Sequence, residues 1–303
     1  MSANALVQAR ALDLPAREAM LRRAPSVSRF WNENRALLAE AWQQWESQSN
    51  VPSLPAPLTL LAPALRDAVA AAWDDPSTEG AVRELWTEHC PGVYVAQFFD
   101  HERLAALRAY MDQVADANIP LRPPYGIALN RGGAMLDPRS EGYLAAPGFQ
   151  GLYAALTQRV MRPVARLLFP EVFGYDAQTF GFSIRYEPNT DASLQPHTDA
   201  SSVTLNINMN LPDETYEGSQ VDFLDPTTGA VSPLHFEPGV AAIHRGPVPH
   251  ATHPITQGSR SNLVLWLYGN SGQMPPRGAK AEGPSAEARW TLLPEATGTY
   301  APF

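Results

Sequence analysis

His197 and Asp199, separated by one residue, stand just ahead of a β-like run from Ser202 to Leu211, and His250 and Arg260 follow downstream. Two imidazoles and a carboxylate can take three positions on one side of an iron(II) ion and leave the others open for chemistry. In an extended segment side chains alternate faces, so the spacing His197-Thr-Asp199 predicts that both side chains point at one metal. His244, His250 and His253 are all close enough along the chain to supply the second imidazole. Arg260 leads into the apolar run Leu263-Val264-Leu265-Trp266-Leu267. A guanidinium placed there can hold the carboxylate of a co-substrate through a two-pronged hydrogen-bonded pair.

The neighbours of these residues are also patterned. Thr204, Asn206 and Asn208 alternate along one run and therefore share a face. Buried amides need partners, so this face is a polar wall for co-substrate or substrate, or else the solvent-facing side of the strand, rather than an apolar core. Tyr186 lies upstream, where a core aromatic is one reading of it.

Tyr186, His197-x-Asp199, Val203-Thr204-Leu205-Asn206, Glu217-Gly218, Gly239, His250, Pro254-Ile255-Thr256, Gly258-x-Arg260 and Trp266 together resemble the iron(II)- and 2-oxoglutarate-dependent oxygenases. The resemblance is closest to their prolyl-4-hydroxylase-like branch and covers roughly residues 91 to 270. His250 stands at that branch's usual interval before Arg260 and is followed by Pro254 where relatives carry a proline; His244 and His253 fit neither spacing. The resemblance thus makes His197, Asp199 and His250 the Fe(II) ligands. It makes Arg260 the anchor of 2-oxoglutarate, with Tyr186, Thr204, Asn206 and Asn208 around it, O2 as oxidant and ascorbate as a candidate auxiliary reductant. The implied reaction is hydroxylation of an unactivated C–H bond of a small-molecule or amino-acid-like substrate, with release of succinate and CO2. Related halogenases carry a small residue where this chain has Asp199, so hydroxylation is the default. Two other readings stand beside it: a protein prolyl or lysyl hydroxylase, and a non-catalytic metal-binding jelly-roll scaffold or sensor.

The elements that must position these residues divide the chain in two. Residues 1–80 read as helical: Ser28 to Trp42 repeats apolar groups at helical spacing, the helix cannot run far past Asn50, and Ala64 to Trp73 is a second amphipathic helix. Val93–Phe99 reads as a strand, and Asp100 as the N-cap of a helix from His101 to Ala115. Prolines and glycines between residues 118 and 150 preclude a long regular element; the loop they make either covers substrate, with Tyr125, Arg131 and Tyr143 as contacts, or is a surface loop without a role. Gln150–Leu168 reads as a helix kinked or divided at Pro163.

From Thr179 onward the chain turns to short β-like runs: Phe180–Tyr186, Ser202–Leu211, Gln220–Leu224, Ala230–Phe236, Val240–Ile243 and Asn262–Tyr268. Arg289–Leu293 is a candidate further strand. Short strands after a helical region predict an α+β fold with an antiparallel sandwich or jelly roll. The resemblance makes it a double-stranded β-helix (jelly-roll, cupin-like) core with an N-terminal helical region. The expected organisation is a helical cap over 1–90, the dioxygenase domain over 91–270 and a tail over 271–303 that packs on or extends from the core.

Bulk composition sets the remaining bounds. Of the residues, 17% are charged and 45% hydrophobic, as in an ordinary soluble globular protein. A net charge of -9 without a long Lys/Arg cluster argues against a nucleic-acid partner. Cys90 is the sole cysteine, which excludes an intramolecular disulfide and a multi-cysteine zinc site. No apolar run approaches the ~20 residues that cross a bilayer, and no secretory signal is evident, so the expectation is a cytoplasmic protein without a membrane partner. Nothing in the pattern fixes an oligomeric state.

Overall fold

The computed structural model of the chain describes residues 4–48, 50–125, 132–225, 227–276, 278 and 283–293. Its N-terminal half is helical, as the apolar spacing requires. Val27, Trp31, Leu38, Ala41, Trp42 and Trp45 line the buried side of the helix Pro25–Glu46, which opens on Pro25 at its first turn. The helix Pro63–Asp74 buries Leu65, Val69 and Ala72 in the same way. Asp100 caps the helix His101–Asp116, its carboxylate accepting from Arg103 N at 3.0 Å.

The break near Pro163 is wider than a kink. The helix Pro147–Ala155 passes through a π-helical stretch, Leu156–Met161, before the helix Arg162–Leu168 resumes. Pro163 has no N–H for the carbonyl of Arg159, and the indole of Trp73 donates to that carbonyl at 2.8 Å instead.

The strands are β1 (Thr87–Cys90), β2 (Val93–Gln97), β3 (Gln178–Tyr186), β4 (Leu194–His197), β5 (Val203–Asn208) and β6 (Glu217–Gly218). They continue with β7 (Val221–Leu224), β8 (Val231–Leu234), β9 (Val240–Arg245), β10 (His250–Thr252), β11 (Ile255–Gln257) and β12 (Arg260–Tyr268). One sheet has the order β1-β2-β9-β5-β12-β3, a second β4-β10-β7-β8, and β11 pairs with β6. All of these pairs are antiparallel. The fold is thus a mixture of helices and antiparallel sheets. The large sheet begins at Thr87, inside the region expected to form the helical cap, so the expected boundary at residue 90 falls within the β1–β2 hairpin.

Alternation divides the large sheet cleanly. Val203, Leu205, Ile207, Leu263, Leu265 and Leu267 join the core that also contains the N-terminal helices. Phe180, Phe182, Ile184, Tyr186, Val264 and Trp266 pack on the opposite face. Val221 and Phe223 of β7 share a cluster with Val93 of β2 and Ala242 of β9, which brings the small sheet against that opposite face. The functional candidates lie between the sheets.

Several elements depart from the sequence expectations. β5 stops at Asn208 because the Asn208 side chain accepts from Asn210 N and turns the chain. The Ala230–Phe236 run forms pairs only over Val231–Leu234. Arg289–Leu293 is not a strand: Arg289 closes the helix Ala286–Arg289, and Trp290 packs edge-on against Trp73 and donates to Glu79 at 2.9 Å. The described residues around the helix Ala286–Arg289 and Trp290 therefore pack on the helical region, not on a sheet edge. No helix among the described residues is long and apolar enough to cross a membrane.

Candidate metal centre

His197 ends β4 and His250 opens β10, and the ladder pairs them directly. Their ring centres are 4.3 Å apart. Asp199 does not belong to the strand that carries His197, as its spacing predicted. It sits in the turn after β4, where its N–H donates to Gly246 O at 2.9 Å. That turn swings the carboxylate toward both rings, placing Oδ1 3.6 Å from His197 Nε2 and 3.9 Å from His250 Nε2. The three potential ligand atoms lie within 4.8 Å of one another.

Hydrogen bonds fix the tautomers. His197 Nδ1 is 2.7 Å from Gln195 O, and His250 Nδ1 is 3.0 Å from Val248 O. A carbonyl only accepts, so each Nδ1 carries the proton and each Nε2 turns a lone pair toward Asp199. Such a backbone partner is what a ligating imidazole needs to hold its orientation. Burial, helped by His244 and His197 and opposed by Asp199, lowers the His250 pKa to about 4. His250 is therefore neutral and ready to ligate at neutral pH. The donor set of two imidazoles and one carboxylate suits a divalent iron.

Arg260 opens β12 opposite Tyr186 of β3. Its guanidinium is fully buried; Nη1 donates to Ser219 O at 2.6 Å, while Nε and Nη2 have no hydrogen-bond partner among the described residues. Its Cζ lies 4.8 Å from the Tyr186 ring centre and 5.6 Å from that of Phe236. Burial lowers the Arg260 pKa and raises that of Tyr186, whose phenol Arg260 pulls back toward ionisation. A buried cation with idle donors is costly, and a carboxylate is the partner its fork accepts best. The residues present thus fit the carboxylate of a co-substrate.

A cavity of about 300 Å³ lies between the sheets, lined by His197, Asp199 and His250 together with Tyr186, Thr204, Asn206 and Thr252. Phe182, Ile184, Val264 and Trp266 supply its apolar wall. Arg260 contributes no surface to the cavity; the Tyr186 ring against it does.

The three polar residues of β5 part company. Asn206 lines the cavity, its Oδ1 accepting from Asn262 Nδ2 at 2.6 Å. Asn208 is fully buried and does not reach the cavity; its amide donates to Asn210 Oδ1 at 3.2 Å and approaches Asn262 Oδ1 at 3.5 Å. Asn210 in turn donates to Ser259 O at 2.7 Å, so this amide ladder ties β5 to the residue before Arg260. Thr204 faces the cavity, but its hydroxyl donates to Asp199 Oδ2 at 2.6 Å.

The expected loop contacts are not in the cavity lining. Tyr125 is buried with Arg17 over its ring, and Tyr143 is half-buried with Arg35 over its own. Arg131 lies outside the described residues. His253 faces away, paired with Asp222 at 2.7 Å. The residues that sequence reasoning missed are Ser219, whose contribution is a backbone carbonyl, and Thr252. Thr252 stands two positions from His250 on the same strand, and strand alternation applied to that pair would have found it.

No family model matches the sequence. Among curated proteins, the chain is 28% identical over 204 residues to the 2-oxoglutarate and iron-dependent oxygenase domain-containing protein ICU11 of Arabidopsis thaliana, over 62% of this chain and 48% of that protein. It is 30% identical over 122 residues to 2-oxoglutarate and iron-dependent oxygenase domain-containing protein 2 of Homo sapiens, over 38% of this chain and 34% of that one. A 31% identical match over 141 residues is to the multifunctional procollagen lysine hydroxylase and glycosyltransferase LH3 of Rattus norvegicus, over 45% of this chain and 18% of that protein. The chain spans about half the length, or less, of these relatives. Similar solved structures include a Pseudomonas putida prolyl-4-hydroxylase at 19% identity and TM-score 0.44, covering 67% of this chain and 99% of that one. A prolyl 4-hydroxylase from Phytophthora capsici is similar at 14% identity and TM-score 0.46, covering 76% and 70%.

Proposed function

The chain belongs to the iron(II)- and 2-oxoglutarate-dependent oxygenases, and from that premise we propose that it hydroxylates an unactivated C–H bond of a small-molecule or amino-acid-like substrate. The observation that carries this reading is the convergence of two Nδ1-protonated imidazoles and one carboxylate in a cavity whose Tyr186 wall is backed by a buried arginine, two of its nitrogens without a hydrogen-bond partner among the described residues. We read the two facing antiparallel sheets as the double-stranded β-helix, with residues 1–90 as its helical cap and 271–303 as a tail whose Trp290 packs on that cap.

His197, Asp199 and His250 would hold Fe(II), and Arg260 would take the distal carboxylate of 2-oxoglutarate. When bound, the metal with 2-oxoglutarate and O2 supplies the oxidising chemistry that puts oxygen into a C–H bond, releasing succinate and CO2. The chain itself supplies placement. Gln195 O and Val248 O keep the two rings in the ligating tautomer, and the ladder from Asn206 to Ser259 holds the strand start that carries Arg260. Phe182, Ile184, Val264 and Trp266 exclude water from the substrate's side and orient an apolar group there.

A second reading, a prolyl or lysyl side chain of a protein as substrate, is favoured by one observation. A surface groove of about 380 Å³ shares Leu194, Gln195, Pro196 and His250 with the cavity, and Leu224 and Val231 stand exposed along it. Apart from Asp199 and the histidines, no ionisable lining residue other than the Tyr186 phenol is found among the described residues, which favours a neutral prolyl ring over a lysyl ammonium.

Anaerobic titration with iron(II) and 2-oxoglutarate tests the assignment through the weak visible charge-transfer band of the chelate. A band in the wild type that weakens in Asp199→Ala and Arg260→Ala supports it. No band from folded, iron-loaded protein sinks it and leaves the metal-bearing scaffold or sensor. Succinate release with proline-containing peptides against small neutral amides then separates the two substrate readings.

A further inference from the structure

The two oxygens of the Asp199 carboxylate have different surroundings. Oδ1 faces the Nε2 atoms of His197 and His250, at 3.6 and 3.9 Å. Oδ2 points away from them and accepts the Thr204 hydroxyl proton at 2.6 Å, a short charge-assisted hydrogen bond. The direction of that bond is fixed, because an ionised carboxylate only accepts. Thr204 has one proton and has given it to Asp199, so the contact of 2.9 Å between Ser201 Oγ and Thr204 Oγ1 must be a bond donated by Ser201. Both hydroxyl residues are buried, Ser201 at 0% and Thr204 at 1% exposure.

His244 is the other group near Oδ2, with Nε2 3.8 Å away, beyond hydrogen-bond range. Its Nδ1 lies 2.9 Å from Arg245 O and so carries the ring proton, which leaves a lone pair on Nε2 facing the carboxylate. Neutral His244 therefore cannot hold Oδ2. Among the described residues Thr204 is the only hydrogen-bond donor to the Asp199 side chain.

We propose that Thr204, backed by Ser201, is a positioning residue that reserves Asp199 Oδ2 and presents Oδ1 alone to the metal. This assigns the Thr204 hydroxyl to the carboxylate and not to the co-substrate, and it rests on the reading of His197, Asp199 and His250 as metal ligands. A carboxylate free to rotate can bind a metal through both oxygens. That would occupy a position the proposed chemistry needs open. Thr204 keeps the carboxylate one-pronged.

The test uses Co(II) added to metal-free full-length protein, with two readouts that need no turnover: the dissociation constant from competition with a chelator, and the visible ligand-field spectrum, which reports coordination number. Thr204→Val keeps the shape and removes the donor; Thr204→Ser keeps the donor. The valine variant should bind Co(II) about 10- to 100-fold more weakly, as loss of an outer hydrogen bond to a ligand does, with a changed spectrum. The serine variant should stay within about threefold of wild type with an unchanged spectrum, since its hydroxyl makes the same bond. Wild-type affinity and spectrum in Thr204→Val would overturn the proposal, as would a serine variant that behaves like the valine one. If the valine variant fails to fold, Thr204→Ala against Thr204→Ser decides by the same criteria. A wild-type protein that binds no Co(II) removes the metal-centre reading itself, an outcome distinct from any difference among the variants.

Discussion

Arg260 and Tyr186 face each other across β12 and β3, with the guanidinium carbon 4.8 Å from the ring centre. The ring shields one face of a cation that, among the described residues, donates to Ser219 O and has no hydrogen-bond partner for Nε and Nη2. This arrangement is poor for stability and good for binding an anion. A charge-assisted bond contributes roughly 1.5–3 kcal/mol, so Arg260→Ala should weaken 2-oxoglutarate binding by about 10- to 150-fold. Arg260→Lys should recover only part, because a point charge replaces a planar fork. Calorimetric titration of the metal-loaded protein measures both.

The same geometry carries the opposite expectation for the ligand-free protein. Replacing an unpaired buried charge by an apolar side chain of similar volume is neutral or stabilising, by about 1–4 kcal/mol in known cases. Arg260→Met should therefore melt no lower than wild type without ligand, and 2-oxoglutarate should raise the melting temperature of wild type alone. A large drop in the melting temperature of ligand-free Arg260→Met would mean that Arg260 is a structural strut held by Ser219.

Much of the site was legible because ligand sets and strand alternation leave marks in sequence. The family resemblance, through its usual interval, singled out His250 and Arg260 as candidates, and Leu263, Leu265 and Leu267 announced a strand with one face in the core. What escaped was decided by turns and backbone atoms. Asp199 lies in a turn anchored on Gly246 O, which no alternation rule foresees. Ser219 acts through a carbonyl that every residue possesses. β4 and β10 span only Leu194–His197 and His250–Thr252, too short and polar for any periodicity to register. Asn208 shares a strand face with Asn206 yet ends inside an amide ladder, since facing inward does not say whether a neighbouring strand or a ligand is the partner.

His250 and His253 provide an internal control for the metal centre. His250 turns Nε2 toward Asp199, whereas His253 pairs with Asp222 on the outer side. His250→Ala should cut Co(II) affinity by on the order of a hundredfold or more, and His253→Ala by less than about twofold. Equal losses in the two variants would move the ligand assignment.

The lowered pKa of His250 sets an acid limit on the metal-free fold. Its causes are burial first, then His244 and His197, against the opposing charge of Asp199. His244 is shifted in the same direction by its own burial. In the unfolded chain His250 takes up its proton near pH 6.5, but in the folded protein only near pH 4, so the unfolded state binds more protons between those values. The stability that His250 supports is thus complete above pH 6.5 and is lost as pH falls toward 4, by roughly 3 kcal/mol. Urea unfolding of metal-free wild type and His250→Gln at pH 7 and pH 5 checks this. The variant should lose less between the two pH values, and parallel losses would contradict the sign.

Gly246 joins the metal loop to the sheet and has no room for a side chain. A Cβ there would lie 1.8 Å from Ser201 O and 2.6 Å from Ser201 Oγ. The carbonyl is backbone and cannot swing aside, so Gly246→Ala must displace the segment that carries Ser201 and Asp199. The expected cost is about 2–4 kcal/mol, in the range of overpacked or strained sites. Co(II) binding should weaken as well, because Asp199 N is tied to Gly246 O at 2.9 Å. Gly151 supplies the contrast: it lies within the helix Pro147–Ala155, and a Cβ added there meets no atom within 4 Å. Gly151→Ala should stabilise the protein by up to about 1 kcal/mol and leave metal binding unchanged. Thermal melting and Co(II) titration of the two variants side by side separate a crowded loop from a general intolerance of alanine. If Gly246→Ala matched wild type in both measurements, Ser201 and Asp199 would have to be freer to move than their packing implies.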